Sequence, residues 1–117
     1  MAYYGITSRA DLIDIATIST GCSQLEVAAE KFVKCAELVD SAASICDSSA
    51  LSVEKTTMQP QLQADAEFIR SLQSVVSNFA TAIRSASSQV YAAQEAELAT
   101  YLEEQRKLAE QQSANTN

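Results

Sequence analysis

Apolar residues follow steps of three and four along the first half of the chain. Ile15, Ile18, Cys22, Leu25, Ala29, Phe32, Ala36, Val39, Ala43, Cys46, Ala50 and Val53 all obey this spacing. A period near 3.5 residues gathers them on one face of a helix, whereas a half-buried strand would alternate every second residue. Gly21, Ala28, Cys35, Ala42 and Ser49 form a second line, one position ahead of the first, and every member is small. The apolar stripe is therefore wider than a two-helix seam needs. Before it, residues 1–7 read as a short arm, and Ser8 with Asp11 resembles a capping box.

The pattern falters over residues 47–59. Asp47-Ser48-Ser49 and Thr56-Thr57 are turn or cap material. Pro60 lacks an N–H and fits best in a helix's first turn. A second helix is therefore expected to start near 58–60, with Thr57 as a candidate cap. Its seam is Leu62, Asp65, Ile69, Leu72, Val76, Phe79, Ile83, Ala86, Val90 and Ala93, widened by Phe68, Val75 and Ala82. Beyond Ala93 the register slips onto Leu98, Tyr101 and Leu108. Glu103 and Lys107 are spaced for a favourable helical pair.

These signals predict an all-α fold, an antiparallel two-helix hairpin in one domain spanning residues 1–117. Helix one covers about 9–53, the turn about 47–59, helix two about 58–112, and 113–117 form a frayed tail. Two helices cannot cover stripes this wide. A four-helix bundle is expected, formed as a homodimer or with a helical partner.

Composition narrows the function. The chain has 117 residues, 8 Lys+Arg against 15 Asp+Glu, and a net charge of -7. That balance disfavours nucleic acid, whose phosphates call for clustered cations, and equally an anionic lipid surface. No apolar run approaches the ~18 residues of a membrane span, so no membrane insertion is expected. With 2 Gly and 1 Pro the chain has few sharp turns for a β fold. Three cysteines cannot all pair within one chain, which fits a reducing compartment and small buried thiols. The N-terminus has no continuous apolar stretch of the signal-peptide kind. A cytoplasmic location is expected.

Catalysis is not expected. There is no His, hence neither the usual neutral-pH base nor the commonest metal ligand. No Cys-x-x-Cys pair and no glycine-rich phosphate loop exist, and no cofactor or metal is expected. The acidic residues from Glu95 to Glu110 read as solvated helix surface. Candidate partner-binding residues are Val27, Phe32, Leu38, Ile45, Phe68, Val75, Phe79 and Ile83. Of these, Val27, Leu38 and Ile45 lie off the main seam of helix one. They read either as a docking face or as a widened buried stripe.

An apolar repeat from Phe79 leads into Tyr91-Ala-Ala-Gln-Glu95. This segment resembles the Tyr-x-x-x-Asp/Glu motif late in helix two of the WXG family, small helical hairpins of type VII secretion. The family's Trp-x-Gly turn should fall near Leu51-Ser52-Val53, where neither Trp nor Gly stands. The tail after Glu95 is also longer than usual. In both respects the chain is more similar to divergent members that accompany LXG-type toxins and bind their helical N-terminal regions. The resemblance implies a secreted WXG-like protein or a targeting chaperone for such a toxin. It implies Tyr91 and Glu95 as the secretion signal, and export without a cleavable signal peptide. The rival expectation is a structural coiled-coil or bundle subunit unrelated to secretion.

Overall fold

The computed structural model describes residues 4–116, with side chains through Asn115. The first three residues of the expected arm and the last residue of the expected tail lie outside the described residues. A 3₁₀ turn (Arg9–Asp11) precedes α1 (Ile15–Asp47); a π-helical turn (Glu54–Met58) leads into α2 (Gln59–Thr116). The fold is all-α, and no strand occurs among the described residues.

Several expected boundaries move. Asp11 accepts the backbone N–H groups of Thr7 and Ser8 at 3.0 and 3.1 Å, but this closes only the 3₁₀ turn. The carboxylate that starts α1 is Asp14, which takes the Thr17 N–H at 3.0 Å and its hydroxyl at 2.7 Å. An N-cap carboxylate satisfies donors that the first helical turn leaves without partners. Helix one therefore begins at Ile15 rather than near 9. It ends at Asp47, so Ala50 and Val53 continue the spacing but not the helix.

The turn is shorter than expected. Helical backbone resumes at Ser52, and Pro60 sits inside it rather than in a first turn. A proline cannot donate to the carbonyl four residues back and its ring crowds that carbonyl. The π-helical turn directly before Pro60 widens the backbone where that conflict arises. At the other end α2 runs on to Thr116. The stretch expected to fray is helical as far as it is described.

The chain divides into two compact units. In the hairpin unit, Thr20–Ile83, α1 and the first part of α2 pack antiparallel. Its buried positions on α1 are Cys22, Ala29, Ala36 and Ala43, each seven residues from the next, with Cys46. On α2 they are Ala66 and Ala80, with Gln73 half-buried between them. The deepest line of α2 thus falls one position after the expected Asp65, Leu72 and Phe79. Except at Gln73, small side chains occupy both lines, which lets two helix backbones approach closely. The larger Leu25, Phe32, Val39, Ile69, Val76 and Ile83 flank them, half-buried.

The arm unit comprises the described parts of Met1–Ser19 and Arg84–Asn117. Here the segment before α1 lies along α2. Gly5 has a φ of 71°, a left-handed conformation that glycine adopts without a Cβ clash. The N–H groups on either side of it, from Tyr4 and Ile6, both donate to the Glu97 carboxylate, at 2.8 and 3.0 Å. Ile13 donates its N–H to Gln94 Oε1 at 2.8 Å. Ile6, Ser87, Gln94 and Leu98 are buried in this unit.

Candidate protein-binding face

The buried line of each helix serves as a reference for its two flanks. In an antiparallel pair, positions four residues after that line meet one another on one side. Positions one residue before it meet on the opposite side. Asp40 lies four after Ala36 and Arg70 four after Ala66, and these two form an ion pair. This polar side closes the hairpin unit. Both partners are partly exposed, so the pair contributes at most about 1 kcal/mol. A polar cavity of about 340 Å³ opens near the turn, with Asp40, Asp47, Ser48, Gln59 and Gln63 among its lining residues.

The opposite side is apolar and open. On α1 it carries the small line Gly21, Ala28, Cys35 and Ala42, beside half-buried Leu25, Phe32 and Val39. On α2 it carries Leu72 and Phe79, with Asp65 at the turn end of the same line, then Phe68 and Val75 one further step around the helix. Leu38, Ile45, Phe68, Val75 and Phe79 keep 59–73% of their surface exposed. This face is a trough of small side chains on α1 beside a ridge of large ones on α2. Contiguous exposed apolar surface of this kind marks an interaction site.

The eight candidate binding residues separate accordingly. Phe32, Phe68, Val75, Phe79 and Ile83 share the open face, with Phe32 and Ile83 half-buried. Leu38 and Ile45, two positions after the buried line of α1, are exposed beyond the outer edge of that face, toward the side away from α2. Val27 is exposed but lies farther round, on the side of α1 away from α2. Phe79 is therefore not the buried seam residue that its spacing suggested. Cys35 also departs from expectation: Cys22 and Cys46 are buried free thiols, whereas Cys35 is exposed on the open face.

Tyr91 and Glu95 belong to the arm unit and stand one turn apart on α2. Tyr91 is half-buried and its hydroxyl accepts from Arg9 Nη2 at 3.4 Å, while Glu95 is exposed. Farther along α2, Glu103 pairs with Arg106, at 2.6 Å, and not with Lys107 as its spacing suggested. The guanidinium holds the Glu103 carboxyl below its ordinary value. Among the described residues no group of three metal-binding side chains could hold a metal ion. No helix among the described residues is long and apolar enough to cross a membrane.

The polar arm contacts were missed from sequence. The available signals were Ile6 and Ile13, apolar residues seven apart in a segment otherwise read as loose, with Gly5 between Tyr4 and Ile6. The buried line of α2 was partly visible as Ala66, Ala80 and Ser87, small residues on a heptad line interrupted by Gln73. No family model, no curated protein and no solved structure matches this chain.

Proposed function

We propose that this protein is a helical adaptor that binds another helical protein through the open face of its hairpin unit. One observation carries this reading: Phe68, Val75 and Phe79 line one side of α2 uncovered, while the opposite side of the same hairpin is closed by Asp40 and Arg70. A partner helix laid along the ridge would remove these side chains from water, the main source of affinity between helices.

The narrower reading is an adaptor of type VII secretion, either a secreted WXG-like protein or a targeting chaperone for an LXG-type toxin. It is supported by the Tyr91-x-x-x-Glu95 spacing late in a long second helix. In that reading the protein is made in the cytoplasm and exported without a cleavable signal peptide, with Tyr91 and Glu95 read by the export machinery. Replacing Tyr91 with Ala in a strain with a working system tests it. Export of the protein or its partner should fall sharply, and unchanged export would remove the signal role.

The trough and ridge favour a second reading, a structural subunit that pairs with itself. A two-fold interface needs a self-complementary surface, and each copy offers both a ridge and a groove. Light scattering over a concentration series separates the two. A monomer at all concentrations that captures a helical partner supports the adaptor; a dimer indifferent to such partners supports the subunit.

A further inference from the structure

The segment before α1 lies on the part of α2 that carries Tyr91. α1 begins only at Ile15, and Ile13 already sits at Gln94. Farther along α2, Ile6 donates to Glu97, next in sequence to the buried Leu98.

Its attachment is sparse. Three of its links run from arm backbone N–H groups to α2 side chains: Tyr4 and Ile6 to Glu97, and Ile13 to Gln94. The fourth is Arg9 to the Tyr91 hydroxyl. Ile6 is its one fully buried apolar side chain, while Tyr4, Gly5 and residues 7–11 are exposed. Segments with few buried apolar contacts open far more readily than the helices beneath them. The contact at Tyr91 is made by an element that can leave without unfolding α1 or α2.

We infer that residues Tyr4–Ile13 form an autoinhibitory strap that masks Tyr91, so that any protein reading Tyr91 and Glu95 together must first displace the arm. In the closed form Glu95 is exposed, Tyr91 is half-buried, and Arg9 donates to the Tyr91 hydroxyl. The clasp is the Glu97 carboxylate, which belongs to neither member of the pair. The contact between the arm and Tyr91 belongs to the fold; its use in regulating recognition rests on the proposed role of Tyr91 and Glu95.

The full-length chain tests this with three variants: Glu97→Ala, which removes the clasp; Ile6→Ala, which removes the anchor by a different route; and Glu95→Ala as a control outside the strap. Amide hydrogen exchange reports on the arm, and nitration of Tyr91, resolved by peptide mass spectrometry, reports on the mask. Helicity by circular dichroism confirms that α1 and α2 persist. Glu97→Ala removes hydrogen bonds to a charged acceptor. It should speed exchange at Ile6 by roughly tenfold or more. Nitration of Tyr91 should rise in parallel, as it should with Ile6→Ala, while Glu95→Ala changes neither.

Faster arm exchange with unchanged Tyr91 nitration would overturn the inference, as would an arm unprotected in the unmodified chain. Export decides the other reading separately. Tyr91 exposed by Glu97→Ala, with export insensitive to Tyr91→Ala, upholds the mask and removes the signal role.

Discussion

Phe79 separates the packing of this chain from its function. Its ring is 59% exposed on α2, so roughly two fifths of it is covered within the hairpin unit. Full burial of a Phe side chain is worth about 1.5–3 kcal/mol. Phe79→Ala should therefore cost the isolated chain only about 1 kcal/mol. No closed cavity forms, because the vacated space opens to water. A wholly buried ring would cost about 3–5 kcal/mol. The exposed part remains for a partner, and covering it is worth about 1–2 kcal/mol, or roughly 5–30-fold in Kd. Urea unfolding followed by circular dichroism measures the first quantity, at concentrations low enough to keep the chain monomeric. Titration with the partner, or dilution of a self-associated form, measures the second. A loss of 3 kcal/mol or more from the monomer, with binding unchanged, would refute the assignment of Phe79 to the open face.

Other positions test the same architecture. A Cβ on Gly21 would meet nothing within 4 Å, so Gly21→Ala should stabilise the chain by about 1 kcal/mol through helix propensity, read as a higher urea midpoint. A loss of stability would mean that the position is already crowded. Ala36 has 0% exposure, and Ala36→Leu should destabilise the chain by about 1–3 kcal/mol through overpacking. An unchanged midpoint would show that the helices are not closely approached there. Asp11 lies below the ordinary aspartate value of 3.8, chiefly through the Thr7 N–H, and Asp14 likewise through the Thr17 N–H. A depressed carboxylate supports the folded form fully above 3.8 and loses that contribution as pH falls through its folded value. The Thr7 and Thr17 amide resonances should therefore titrate with midpoints below 3.8, and midpoints at or above it would contradict the caps.

Helix, and helix of this length, was legible in the chain because periodicity is a local property. From Ile18 to Cys46 every residue of the first seam is buried or half-buried. The turn region was legible too, since serines and a proline interrupt the apolar spacing there. Pro60 was placed in a first turn because its missing N–H favours one. Only the assembled backbone revealed the π-helical turn that tolerates it farther inside.

Which flank of a wide stripe is buried is a different kind of question. Along α2, spacing alone treats Phe79 and Ala80 as neighbours on one broad apolar face. The chain itself cannot say which of them meets α1. Close packing decides it: Ala80 allows the backbones together, and the ring of Phe79 is left outside. The arm is similar. Residues 4–13 offer one heptad pair, Ile6 and Ile13, and no sustained period, and the arm's position depends on Glu97 and Gln94, more than eighty positions away. The sequence by itself determined that the chain forms helices and where their apolar sides run, because those follow from neighbours a few residues apart. The tertiary structure alone decided which apolar side faces inward, which is left open, and what covers Tyr91, because each depends on groups that meet only once the chain has folded.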